Sequence, residues 1–357
     1  MSYSENLDLH PVDINKIEKK KILLKTLRDL TFHHHENCME YKKILDSFSI
    51  DLSLIKNSSD YPFLPARIFK EYSLSSVNKE DLIKTMMSSG TTGNNPSKIM
   101  LDKKTSARQT KVLAKIINQY IGSKRLPMII IDNESTIKNR NKFSARSAGI
   151  FGFSMFGKDK LFALDDQMNL RVDEVEKFIK KHKDSQILIF GFTYIVWKYF
   201  LEYIFVNKIS FDLNNGILFH GGGWKKIESE KVSNQKFKSI AKTLLNLNQV
   251  HDYYGMVEQT GSIYVECSEG FLHTNLYNDI FIRRPQDFSI CEIGEKGMIQ
   301  SISLIQESYP GHSILTEDEG ILYGEDDCKC GQNGKYFKVL GRIEQAEIRG
   351  CSDTFSA

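Results

Sequence analysis

The chain has 357 residues, 41% hydrophobic and 26% charged, a composition that excludes a disordered or fibrous polymer and a length that suits one large domain or two moderate ones. Its 48 basic and 45 acidic residues leave a net charge of +3, too small for a nucleic-acid footprint, so phosphate binding has to be local. No apolar run reaches the roughly 20 residues that span a bilayer, the first residues lack a basic-then-apolar signal pattern, and six cysteines do not make a secreted disulfide framework. The expected compartment is the cytoplasm, with no transmembrane segment.

From Ile14 to about Ser47 apolar residues recur at three and four positions (Ile17, Leu23, Leu24, Leu27, Leu30), which predicts amphipathic helix and a helical preface over residues 1–60. The adjacent histidines in Thr31-Phe-His-His-His-Glu-Asn-Cys38 would point in different directions on a helix, which favours a structural or surface role over a metal cluster. Pro62 and Pro65 predict an extended stretch. Strand-like Met128–Asp132 and Ile187–Phe190 then alternate with helical Ser106–Tyr120, Asp173–Lys183 and Ile227–Leu247, an order that predicts an α/β fold with parallel strands. Beyond Cys267 short strands with turns (Asp279–Arg283, Lys296–Gln300, Gly320–Tyr323) predict a small β-rich subdomain.

The strongest local signal is Ser88-Ser-Gly-Thr-Thr-Gly93, followed by Asn94-Asn-Pro-Ser-Lys98. Such a loop lets backbone N–H groups approach phosphate oxygens, adds hydroxyl donors from Ser88, Ser89, Thr91 and Thr92, and keeps Cβ atoms away at Gly90 and Gly93. Lys98 then offers a mobile positive charge. The pattern differs from the Walker loop, which needs Gly-Lys-Ser/Thr before its helix; a bland flexible loop is the competing reading.

This segment resembles the phosphate-binding loop of the adenylate-forming superfamily, which includes acyl-CoA ligases and firefly luciferase. Asp252-Tyr-Tyr-Gly-Met-Val-Glu258 is similar to that superfamily's Tyr-Gly-x-Thr-Glu motif, with Val257 in place of threonine. The resemblance implies that ATP is bound, with Asp252, Tyr253, Tyr254 and Gly255 at the nucleotide. An aromatic such as Tyr253 can stack on adenine, and Glu258 can hold Mg²⁺, a hard cation that prefers oxygen ligands. His220-Gly-Gly-Gly-Trp224 resembles the glycine-rich adenine turn, where Gly221, Gly222 and Gly223 would let a flat base lie against backbone. Thr316-Glu-Asp318 resembles the ribose-binding Thr-Gly-Asp, with Glu317 replacing glycine. Gly341-Arg342 resembles the Gly-Arg hinge, whose arginine can reach ribose or phosphate. The order of these five elements carries more than any single match.

The resemblance implies an adenylate-forming N-terminal domain: an α/β adenylation core over residues 61–265, completed by the β-rich subdomain over residues 266–341. The superfamily's C-terminal domain, with its catalytic lysine, is expected to be missing or reduced to a tail, residues 342–357; Lys98, Lys225 and Lys226 are candidate substitutes. This layout, with Phe63-Leu-Pro-Ala-Arg-Ile-Phe-Lys70 near one end and Leu340 to Asp353 near the other, resembles the acyl-protein synthetases, or long-chain-fatty-acid–luciferin-component ligases, of bacterial bioluminescence. The resemblance implies activation of a fatty acid as acyl-AMP, transfer to a cysteine near the C-terminus, and delivery to a reductase partner. Cys351 matches that position, and Arg349 would favour its thiolate. Phe192, Tyr194 and Trp197 lie where the superfamily places its acyl tunnel, although an aromatic strand-to-helix segment equally suits a core. Asp327-Cys-Lys-Cys-Gly331 resembles a Cys-x-Cys-Gly segment of phenylacetate-CoA-ligase-like enzymes. With Cys267 and His273, its Cys328 and Cys330 could form a structural Zn²⁺ site, or the thiols could pack without metal. Two other readings stay open: a ligase passing its acyl group to CoA, a carrier protein or a surface-polysaccharide precursor, and a nucleotide-binding regulatory protein without catalysis.

Overall fold

The computed structural model describes residues 16–48, 50–87, 96–138, 145–224 and 230–343. In chain order its strands are β1 (Leu64–Pro65), β2 (Leu82–Met87), β3 (Lys98–Asp102), β4 (Leu126–Asn133), β5 (Gly157–Leu164), β6 (Ile187–Phe192) and β7 (Gly216–Gly221). There follow β8 (Gln249–Tyr254), β9 (Tyr264–Glu266), β10 (Leu272–His273), β11 (Asn278–Arg283), β12 (Lys296–Ser303), β13 (Ser313–Glu325) and β14 (Lys335–Arg342). The chain divides into two compact units, residues 117–254 and residues 1–116 with 255–357.

The unit of residues 117–254 is the α/β part. Its strands run parallel in the order β5-β4-β6-β7-β8. Every residue of β6 and β7 is buried, as are all but the first of β4. That is why these segments read as unbroken apolar runs: a parallel sheet covered on both faces leaves no polar side to alternate with. The helices Ala145–Ser154, Val172–Lys181 and Asn234–Leu245 pack on these strands. The last starts later than the expected Ile227, because the Ser233 side chain accepts a hydrogen bond from the Lys236 N–H and caps it there. It stops at Asn246, whose left-handed backbone (φ 52°) is one asparagine tolerates.

The other unit is built on a predominantly antiparallel array in the order β11-β12-β13-β14-β10-β9, with β1 running parallel to β13 and β2–β3 a separate antiparallel pair. The expected helical preface is two helices, Lys16–Asn37 and Met39–Ser47. The first buries Leu23, Thr26, Leu27, Leu30, Thr31 and His34, the three-and-four spacing of one helix face. Leu23 and Leu27 share a core with Tyr61 and with Ile302 and Leu304, so this helix belongs to the core of the β-rich part. The three adjacent histidines face three ways: His33 Nε2 meets the Glu307 carbonyl, His34 is buried between Ser76 Oγ and the Gln306 carbonyl, and His35 pairs with Asp46.

Candidate active site

In the unit of residues 117–254 the singled-out residues gather at the carboxyl ends of the parallel strands, where open α/β sheets bind ligands. Residue pairing places Gly221 of β7 beside Tyr253 of β8 and His220 beside Asp252. A Cβ added at Gly221 would stand 2.6 Å from the Tyr253 carbonyl oxygen, and one at Gly222 would stand 2.7 Å from the Phe192 ring. Gly222 and Gly223 adopt φ values of 83° and 68°, which glycine reaches without strain. The turn is glycine because backbone and rings close in on it, and it leaves a smooth surface beside Tyr253.

His220 is buried; its Nδ1 lies 3.0 Å from Thr193 Oγ1 and 3.7 Å from Asp252 Oδ1. Burial pulls its pKa down to about 3, so the imidazole is neutral at pH 7 and acts as a strut under the turn. At the end of β4, Asp132 is 1% exposed and held bidentately by Arg146 (Nε to Oδ2 2.7 Å, Nη2 to Oδ1 2.5 Å). Sequence reasoning passed over this pair; its signal was an acidic residue closing an isoleucine run, a place where the sheet opens to solvent.

Of the expected acyl-site aromatics, Phe192 ends β6 against the Gly222 turn, and burial raises the Tyr194 pKa while Arg146 nearby opposes it. Trp197 instead joins a ring cluster with Trp224 (5.5 Å) and Phe237 (6.0 Å). It lies in a π-helical turn, Val196–Leu201, a local irregularity frequent at functional sites.

In the second unit Glu258 is the central group. It sits in a single 3₁₀ turn, Val257–Gln259, and is 8% exposed. Its backbone is fixed from both sides. Tyr309 donates its hydroxyl to the Glu258 carbonyl (2.9 Å), while the buried Gln259 amide donates to the carbonyls of Ser301 (3.0 Å) and Gly311 (2.9 Å). Burial raises the pKa of the Glu258 carboxyl, opposed by the Ser97 hydroxyl and by the charges of Lys70 and Arg342. A carboxylate held in place, desolvated and near two cationic side chains is suited to a hard metal cation that completes its neutralisation.

Arg342 also faces the ribose candidate. Asp318 and Arg342 are paired residues of β13 and β14, with Nε to Oδ1 at 3.8 Å, and Arg342 Nη1 lies 3.9 Å from Glu317. Glu258, Asp318 and Arg342, far apart in sequence, are thus brought together with Lys70 and Ser97. Lys70 lies in the Phe63–Lys70 segment already singled out, but nothing local marked it as a partner of Glu258. Lys98 begins β3, is exposed, and pairs across the strand with Met87. Ser88, Ser89, Gly90, Thr91, Thr92 and Gly93 of the phosphate loop, Lys225, Lys226 and Cys351 lie outside the described residues. Cys267, His273, Cys328 and Cys330 converge, with ligand atoms all within 4.8 Å of one another. Among the described residues no helix is long and apolar enough to cross a membrane.

A model of the family described as acyl-protein synthetase, LuxE, matches residues 4–357. The sequence is 20% identical over 355 residues to a long-chain-fatty-acid–luciferin-component ligase of Vibrio harveyi, covering 95% of this chain and 88% of that protein. A ligase of the same description from Photorhabdus luminescens is 32% identical over 76 residues, covering 21% of this chain and 65% of its own. The fold is similar to that of 2-hydroxyisobutyryl-CoA ligase in an open conformation with 2-HIB-AMP and CoA. The TM-score is 0.71 at 12% identity, over 94% of this chain and 72% of that one.

Proposed function

The chain belongs to the acyl-protein synthetase (LuxE) family and is an acid–thiol ligase that forms an acyl-adenylate; from that premise we propose that its acid is a long-chain fatty acid and that the acyl group passes to Cys351 for delivery to a reductase or other acceptor. The observation that carries the nucleotide half of this reading is the buried Glu258 carboxylate. It stands on a fixed turn and shares its surroundings with Lys70, Arg342 and Asp318.

In the first step the substrate carboxylate attacks the α-phosphorus of ATP, a new P–O bond forms, and pyrophosphate leaves with the electrons of the broken α–β bond. Glu258 would hold Mg²⁺, which when bound neutralises phosphate charge. The hydroxyls and N–H groups that Ser88–Gly93 carry in sequence would serve the leaving phosphates, Arg342 would steady the nucleotide, and Asp318 would accept from its ribose hydroxyls. The Gly221–Gly223 turn takes the adenine ring against Tyr253, where no Cβ intrudes. Lys70 and Lys98 would supply positive charge toward the reacting phosphate. Phe192 and Tyr194 line the acyl side.

In the second step the Cys351 thiolate attacks the acyl carbonyl, the C–S bond forms, the anhydride C–O bond breaks and AMP leaves. Pyrophosphate exchange measured across fatty, aryl and short-chain acids tests the first step. Exchange with aryl or short acids alone would reject the fatty-acid assignment. Hydroxylamine-labile acylation from labelled fatty acid tests the second. Cys351→Ala is expected to abolish labelling while leaving exchange intact, and a variant still acylated at the tail would sink the transfer step.

A further inference from the structure

Among the described residues, one cluster of metal-ligating side chains includes none of the residues assigned to the nucleotide. Cys267 opens the turn between β9 and β10, His273 ends β10, and Cys328 and Cys330 lie in the connection between β13 and β14. Strand pairing brings the two loops together: β10 pairs with β9 on one side and with β14 on the other, His273 standing opposite Val265 and Tyr336. All four side chains then place a ligand atom within 4.8 Å of every other, and His273 Nε2 lies 3.4 Å from Cys330 Sγ.

We infer that Cys267, His273, Cys328 and Cys330 bind one structural zinc ion that staples the β9–β10 turn to the β13–β14 turn. A tetrahedral zinc with Zn–S near 2.3 Å and Zn–N near 2.0–2.1 Å sets its ligand atoms about 3.5–3.8 Å apart, and the cluster already has nearly that size. Three thiolates and one imidazole are an accepted set for a closed structural zinc site and leave no position open for substrate.

Two further features fit a metal better than packed thiols. A backbone donor is aimed at one of the sulfurs: the Gln332 N–H, two residues beyond Cys330, donates to its Sγ at 3.4 Å. A donor placed in this way stabilises a sulfur that carries negative charge, which a neutral thiol does not require. Secondly, metal-free packing leaves three weak S–H donors to share a single imidazole acceptor in a largely buried space, whereas a central cation takes a lone pair from each ligand. The His273 ring is oriented by stacking on Tyr336 (centroids 5.7 Å, 20°), and its Nδ1 is buried without a hydrogen-bond partner. Nε2 is therefore the ligand atom, and the ring is aligned by stacking where an outer carboxylate commonly does so.

The position of the staple gives it a role. β13 and β14 form one hairpin, with Cys328 and Cys330 at its turn and the Asp318–Arg342 pair at the opposite end. The register between these ends slips at Glu319/Gly320 and again at Leu322/Gly324. A one-residue slip in a strand turns every side chain to the other face. With two irregularities along the hairpin, the zinc fixes its alignment from the turn end and so holds Asp318 and Arg342 on the same side. The metal itself rests on the four ligands alone and stands whether or not ATP is the ligand at Asp318.

The test uses the full chain purified without chelator. Elemental analysis is expected to give about one zinc per chain, and exchange for Co²⁺ is expected to give the intense thiolate-to-cobalt and tetrahedral ligand-field bands of a sulfur-rich site. Stripping the zinc should lower the thermal midpoint, and restoring it should recover the midpoint. Cys330→Ser should lose the metal, whereas Asp318→Asn should keep it while weakening AMP binding, which separates the zinc from the nucleotide reading. Should Cys330→Ser fail to fold, the cobalt spectrum of the unaltered protein still decides. Reduced protein that carries no zinc and shows no cobalt–thiolate band, or a disulfide among these cysteines in the active enzyme, would overturn the inference.

Discussion

Replacing Glu258 by glutamine separates the electrostatic role of this side chain from its packing. The amide keeps the volume and one hydrogen-bond acceptor but removes the charge. Because burial raises the Glu258 pKa, the carboxylate is less favourable in the folded protein than in the unfolded chain at neutral pH. The sign follows: stability lost to this group is present above the raised folded pKa and is regained as pH falls through it toward the ordinary carboxylate range. Glu258→Gln is therefore expected to unfold at equal or higher urea concentration at pH 8, with the advantage vanishing as pH falls to about 4.5. Activity should move the opposite way. A group that positions charge at the reacting phosphate typically contributes about 10²–10³-fold, or about 2.7–4 kcal/mol, so acid-dependent pyrophosphate exchange should fall by that factor at saturating Mg²⁺. Urea melts at both pH values and an exchange assay on one preparation read both quantities. Exchange at the unaltered rate would remove Glu258 from the chemistry. Destabilisation beyond about 2 kcal/mol would mean that the carboxylate serves the fold and that the desolvation argument is wrong.

The glycine turn makes a graded prediction. Gly223→Ala meets no atom within 4 Å and is strained only by its φ of 68°, about 1–2 kcal/mol, so it should fold, with nucleotide binding weakened but not abolished. Gly221→Ala drives a Cβ to 2.6 Å from the Tyr253 backbone oxygen, so it should separate β7 from β8 and abolish ATP binding; equal behaviour of the two in a nucleotide-binding titration would refute the packing account. His34 and His312 are buried in one unit, stacked at 4.9 Å, and burial holds both pKa values low, that of His312 at about 3. Their contribution to stability is complete above about pH 6.5 and is lost as pH falls toward their folded values. Below pH 6 the unfolded chain then takes up two more protons, a slope approaching about 2.7 kcal/mol per pH unit; urea midpoints that coincide at pH 7 and pH 5 would refute it.

How much of this was legible in the sequence depended on whether a feature is local. The buried strands β4 and β6 announced themselves because burial on both faces demands an unbroken apolar run, and the first helix because its face repeats at three and four. Gly221–Gly223 and Asp252–Glu258 were readable as motifs since each is one turn of chain with its chemistry in neighbouring residues. The start of the helix at Asn234 was missed because apolar spacing does not reveal where a serine cap interrupts it. Asp132 with Arg146 and Glu258 with Lys70 were missed for a different reason. Each links residues that strand topology brings together, and an acidic or basic side chain carries no mark of its future partner. Cys267, His273, Cys328 and Cys330 escaped that limit only through chemistry: cysteine and histidine are rare enough that their co-occurrence suggested a set before any distance was known. Their convergence to within 4.8 Å turns on the β9–β10 and β10–β14 pairings, so a substitution that breaks the His273–Tyr336 register should release the metal without touching a ligand.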